Sequence, residues 1–250
     1  MAIQTSSTIG VRAALHGPTL CSVLFLSAAA ILAPKIASAA AAERVDQLVR
    51  TTLELDANAE RGAKLYAEHC ARCHGEKALG NAAYVIPSLA GQRRAYVIKQ
   101  FADFVELERD SRDMHNVLSR PAVANPQVWA DVSLYLNGLP TARFPEAGDG
   151  SGVELGEAIF REQCASCHEE DARGDDDGFV PSLRDQHYSY LLREIRGLAT
   201  SHRSNVDDDL IRFLDSLDTE EMTAVADYLA RLRGPVRDRQ RLRDDGTVSD

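Results

Sequence analysis

The chain has 250 residues, 28 Lys and Arg against 38 Asp and Glu, and a formal net charge of −10. So acidic a surface excludes a protein built to hold nucleic acid or an anionic membrane and suits a partner with a basic docking face. Of five cysteines one, Cys21, stands near the start, and the other four come in two close pairs.

In chain order, residues 1–39 read as a secretory leader: Arg12 and His16 in a polar start, an apolar stretch from Leu20 to Ala33, and Ala37-Ser38-Ala39 as a small-residue cleavage site. The apolar run is interrupted by Pro18 and ends at Pro34-Lys35, too short for comfortable membrane spanning. Leu20 stands where a lipidated Cys21 would need a small residue. The expected product is a soluble, exported, periplasmic protein beginning near Ala40. Cleavage removes Arg12 and Lys35 and no acid, which takes the charge to about −12.

Four cysteines then remain, in Cys70-Ala-Arg-Cys73-His74 and Cys164-Ala-Ser-Cys167-His168. Each is a C-x-x-C-H, the attachment motif of a c-type haem. Two thiols at that spacing can add to the two vinyl groups of one porphyrin while the next imidazole reaches the iron. Two disulfides are the simplest other fate in an oxidising compartment, but they have no use for the histidines. A Cys₄ zinc site usually needs closer pairs than these, which lie 94 residues apart.

The same shift of 94 superposes Gly62 on Gly156, Tyr66 on Phe160, Gly80 on Gly174, Pro87-Ser88-Leu89 on Pro181-Ser182-Leu183, Gln92 on Gln186 and Tyr96 on Tyr190. Near the end the shift falls to 93, with Tyr135-Leu136 on Tyr228-Leu229. Two copies of one unit are too few for a solenoid. Each copy predicts three helices. The first set runs from a cap at Asp56 or Asn58 toward Cys70, from Arg93 to about Glu108, and from Pro126 to Leu139. The second runs over Val153–Gln163, Tyr188–Thr200 and Thr219–Arg233. The expected organisation is a leader over 1–39, a first domain over 43–140, a linker over 141–152, a second domain over 153–234 and a charged tail over 235–250.

Taken together, the haem motifs and Ile86-Pro87-Ser88-Leu89-Ala90-Gly91-Gln92 followed by Tyr96 resemble class I cytochrome c, and their tandem arrangement resembles the diheme cytochromes of the c4 type. The resemblance implies an all-α fold: two small helical bundles, each around a covalently attached haem c. First and last helices would cross near Gly62 and Tyr135, and near Gly156 and Tyr228. It also implies attachment through Cys70, Cys73, Cys164 and Cys167, with proximal ligands His74 and His168 whose other ring nitrogen meets the carbonyl of Pro87 or Pro181.

The distal ligands separate the copies. Met114 lies 40 residues after His74, where class I cytochromes supply a methionine, with His115 the minor alternative. At the shift of 94 Met114 meets Asp208, and the next methionine, Met222, falls in the last helix as a packing residue. His202 is the first choice for the second haem, an open or water-bound iron the second, His187 the third. A thioether favours ferrous iron, so the first haem is expected to have the higher potential. The acids Glu169, Glu170, Asp171 and Asp175 to Asp177 push the second the same way. No residue reads as a catalytic acid, base or nucleophile. The expected role is an electron carrier between a donor dehydrogenase or respiratory complex and an acceptor oxidase or reductase. A diheme redox enzyme with an open second site, peroxidase-like or sulfur-compound-oxidising, and a cytochrome subunit of a dehydrogenase complex are the alternatives.

Overall fold

The helix starting at Ala59 forms because Asn58 is extended (φ −127°) and its side chain accepts the Arg61 N–H at 2.8 Å, satisfying one of the free donors of the first turn. The computed structural model describes residues 40–142, 145–200 and 206–234. The expected leader, the charged tail and His202 lie outside the described residues. Residues 40–53 form α1, followed by α2 (Ala59–His69), α3 (Ala71–His74), a 3₁₀ turn (Ala82–Tyr84), α4 (Arg94–Val105), α5 (Arg112–Leu118) and α6 (Pro126–Gly138). The second copy supplies α7 (Val153–Ile159), a π-helical turn (Phe160–Cys164), α8 (Ala165–His168), α9 (Tyr188–Ala199), α10 (Asp208–Ser216) and α11 (Thr219–Arg231). Extended pairing among the described residues is confined to two isolated bridges, Asn81 with Ile86 and Asp175 with Val180, so the fold is all-α.

Each copy is organised by one helix crossing. A Cβ on Gly62 in α2 would stand 2.1 Å from the Asp131 carbonyl oxygen of α6, and one on Gly156 in α7 would stand 2.0 Å from the Ala224 oxygen of α11. Only glycine lets these backbones touch, which accounts for a poor helix former inside each helix. The next ridge is aromatic: Tyr66 packs on Tyr135 with ring centroids 5.5 Å apart, and Phe160 on Tyr228 at 5.6 Å. The last helices start cleanly. Asn125 caps α6 with Pro126 in its first turn, and Asp218 and Glu221 form a capping box on α11.

Besides the one-turn α3 and α8, three further helices go beyond the sequence expectation. In α1, Val45, Val49 and Thr52 are buried at helical spacing, and both valines join the first core with Ile98, Phe101, Trp129 and Leu136. The others are α5, capped by Ser111, and α10, capped by Asp207. Both are short, seven and nine residues, so their apolar stripe is too brief to read.

The copies are docked on each other through buried polar contacts. Arg109 donates from Nη2 to Tyr190 Oη and Glu194 Oε2, each at 2.8 Å, and lies over the Phe104 ring. Burial works against its charge, but Tyr190, Tyr96 and Glu194 raise its pKa. Arg93 donates to the carbonyls of Arg173 and Gly174, and Asp176 accepts the Ala95 N–H at the start of α4. Phe179 of the second copy packs against the first core. The connecting segment is fastened to the second copy, where Asp227 accepts the N–H groups of Gly148 and Gly150 at 2.8 and 2.7 Å.

Candidate haem sites

Both C-x-x-C-H segments are built the same way. Cys70 ends α2 and heads the one-turn helix α3, and Cys164 ends the π turn and heads α8. Each turn carries one half-buried thiol and one exposed thiol (Cys73, Cys167), and none of the four is in a disulfide. Burial pushes the Cys70 and Cys164 thiols up to about 11. The pairs do not converge: no group of three or more His, Cys, Asp or Glu side chains capable of holding a metal ion occurs among the described residues, so no Cys₄ zinc site is assembled there.

The imidazoles are held by identical devices. His74 Nδ1 lies 3.2 Å from the Pro87 carbonyl oxygen, and His168 Nδ1 lies 3.2 Å from that of Pro181. A carbonyl only accepts, so Nδ1 carries the proton and Nε2 keeps its lone pair. Burial lowers both histidine pKa values, against the pull of the carbonyl, and keeps the rings neutral as metal ligation requires. The carbonyls are placed by a tight loop. Gly80 (φ +72°) donates to the His74 carbonyl at 2.9 Å, and Gly174 (φ +68°) to that of His168 at 3.0 Å. A Cβ on either would strike the neighbouring prolyl carbonyl carbon at about 2.5 Å, the contacts being 2.5 Å and 2.4 Å.

The distal residues stand in unlike settings. Met114, in the first turn of α5, packs against the first core. His115 Nδ1 lies 2.9 Å from the Phe104 carbonyl, which commits that ring to the end of α4. In the second copy Asp208 is exposed at the start of α10, and Met222 packs against the second core from α11. His187 has both nitrogens engaged: Nδ1 accepts from the Glu146 N–H at 3.3 Å, and Nε2 donates to the Leu79 carbonyl at 2.8 Å. It holds the two copies together and has no lone pair left for an iron.

Sequence reasoning passed over Arg94, the first residue of α4. Its Nε and Nη2 are buried with no hydrogen-bond partner. An unpaired buried guanidinium is costly, and the carboxylates of a haem are the kind of group that would satisfy it. The free thiols and the oriented neutral imidazoles fit haem c in each copy, and the first copy adds Arg94.

The comparisons with known proteins agree. The model of the cytochrome c family matches residues 153–233, and that of subunit III of cbb3-type cytochrome c oxidase matches 57–115. Cytochrome c4 of Azotobacter vinelandii is 27% identical over 65% of this chain and 84% of its own length. The chain is a tandem class I, cytochrome c4-like diheme cytochrome. A protein of Stutzerimonas stutzeri named thiosulfate dehydrogenase electron acceptor is 29% identical to this c4-like cytochrome over 72% of the chain and 90% of the relative. Reduced cytochrome c4 from Pseudomonas stutzeri shares the fold, with a TM-score of 0.62 at 24% identity over 71% of this chain and all of that one. Covalently bound haem c and electron transfer follow from this kinship. No helix among the described residues is long and apolar enough to cross a membrane.

Proposed function

We propose that this c4-like cytochrome is an exported periplasmic carrier that takes single electrons from a dehydrogenase and passes them to a respiratory acceptor. Haem c supplies, when bound, an iron that gains and loses one electron at a time. In this reading Cys70 with Cys73 and Cys164 with Cys167 anchor the two groups. His74 and His168 are the proximal ligands, oriented by the prolyl carbonyls. Met114 is the distal ligand of the first domain and His202 that of the second. The folding unit divides at the 141–152 connection into domains over 43–140 and 153–234. The observation that carries the reading is the repeated imidazole–carbonyl contact of 3.2 Å behind a free thiol pair, present in both copies.

Among donors, the relative named for accepting electrons from thiosulfate dehydrogenase favours a dehydrogenase of an inorganic sulfur compound. That resemblance also supports the second reading, a dedicated cytochrome partner of such an enzyme. A stopped-flow experiment tests both: purified protein mixed with a thiosulfate dehydrogenase and thiosulfate should be reduced within the turnover time of the enzyme. No reduction by that pair, with rapid reduction by a quinol-oxidising complex, would remove the sulfur-compound donor and leave the carrier. Carbon monoxide binding to the untreated ferrous protein, or cyanide binding to the ferric one, would favour the open-site enzyme instead.

A further inference from the structure

The prolyl carbonyl that orients each proximal histidine belongs to a peptide group whose other end is held by the opposite copy. Ser88 N–H donates to Gln186 Oε1 at 2.9 Å, and Gln186 Nε2 donates back to the Ser88 carbonyl at 2.8 Å. The mirror pair repeats it: Ser182 N–H donates to Gln92 Oε1 at 2.8 Å, and Gln92 Nε2 to the Ser182 carbonyl at 2.9 Å. The amide orientations are fixed by their partners, because each Oε1 also accepts the next backbone N–H, that of His187 at 3.0 Å and of Arg93 at 2.8 Å. Ser88 and Gln186 are buried, at 5% and 6% exposure, so water competes little for these bonds.

We propose that Gln186 and Gln92 are positioning residues for the proximal histidine of the opposite domain, acting through the Pro87–Ser88 and Pro181–Ser182 peptide groups. The inference rests on the reading of His74 and His168 as axial ligands. An N–H that is itself hydrogen-bonded polarises its peptide group and makes the carbonyl a better acceptor, since chains of hydrogen bonds reinforce one another. Gln186 therefore strengthens the bond from His74 Nδ1–H to Pro87 and makes Nε2 a stronger donor to a metal, while Gln92 does the same for His168. Stronger donation favours ferric iron. The arrangement is crosswise: each domain adjusts the other's ligand rather than its own, and undocking the domains would release both.

The test uses the full-length protein with both haems in place and follows the two midpoint potentials separately, with backbone amide exchange at Ser88 and Ser182 as a second readout. Gln186→Leu should raise the potential of the His74-bound haem and speed exchange at Ser88, leaving the His168-bound haem unmoved. Gln92→Leu should do the reverse, raising only the His168-bound haem. Gln186→Glu keeps an acceptor for Ser88 N–H, and should return the first potential to or below its starting value. Equal shifts of both haems in each variant, shifts confined to the domain that carries the substitution, or potentials that do not move would overturn the proposal. Should the leucine variants undock, the glutamate variant still decides through amide exchange, because it keeps the acceptor that protects Ser88 N–H, whereas a purely structural role predicts faster exchange at Ser88 for Leu and Glu alike. Loss of two-haem stoichiometry, or His74→Ala leaving the ligand spectrum unchanged, would instead overturn the ligand reading itself.

Discussion

The two copies hold their proximal histidines alike and differ in the residue that follows each histidine, in the aromatic ring beside it and in the distal segment. In the first, Tyr66 Oη donates to the Gly75 carbonyl at 2.7 Å, and Gly75 adopts φ +80°, ψ 157°, a conformation open to glycine. In the second, Phe160 has no hydroxyl to offer, and Glu169 is forced to φ +67°, ψ 157° beside His168. The distal helices diverge further, Met114 lying against a core while its counterpart Asp208 faces solvent. The comparison teaches that the scaffold behind the proximal ligand tolerates almost no change, whereas its flank and the distal loop are where one copy has been made unlike the other.

The largest effect should come from the shared crossing. Gly62→Ala and Gly156→Ala each place a methyl inside a backbone carbonyl that cannot yield, and should destabilise their copy by about 3 kcal/mol or more, read by denaturant unfolding of the holoprotein. Tolerance of alanine at one site and not at the other would break the equivalence of the crossings.

Acid should then separate the copies. Asp131 is 1% exposed and accepts from Arg61 Nε at 2.5 Å, the Asn58 N–H at 2.8 Å and Gln127 Nε2 at 3.0 Å. Burial works against its charge, but those donors outweigh it and hold the pKa below the ordinary carboxylate value. A depressed folded pKa adds stability that is present above the unfolded value and lost as pH falls through the folded one. The corresponding residue of the second copy is Ala224, so this loss, in the range below about pH 4, belongs to the first copy, and Asp131→Asn should abolish it. Thermal melts across that range, with and without the substitution, are the measurement.

Smaller effects are expected beside the histidines. Glu169→Gly should stabilise the second copy by about 1 kcal/mol by relieving the strained backbone. Tyr66→Phe should cost the first about 1 kcal/mol by leaving the Gly75 carbonyl without its hydrogen bond. Opposite signs in the two melting temperatures would sharpen the contrast, and a destabilising Glu169→Gly would mean that Glu169 is not strained.

Much of this was legible in the chain. The second and third expected helices of each copy end within a few residues of their observed bounds, because Pro126, the caps and the terminal Gly138 or Arg231 signal them locally. The change of shift from 94 to 93 is real in space, since Gly62 meets Asp131 and Tyr135 while Gly156 meets Ala224 and Tyr228. What stayed hidden is non-local. Gln92 and Gln186 stood out as a repeat, but their partners lie 90 and 98 residues away in the other copy. His187 could be weighed as a ligand only because its bonds to Glu146 and Leu79 leave no trace in the sequence. Arg94 likewise looks like any helical arginine until its burial without a partner is seen.

The central claim is that two haems share one proximal design and carry unlike distal ligands. Ligand-resolved spectra of the ferric protein, recorded for the wild type, Met114→Ala and His202→Ala, address it most directly. The account predicts one methionine–iron signature that disappears only with Met114→Ala, and a second low-spin haem whose potential shifts only with His202→Ala. Two spectroscopically identical haems, or a methionine signature that survives Met114→Ala, would contradict it.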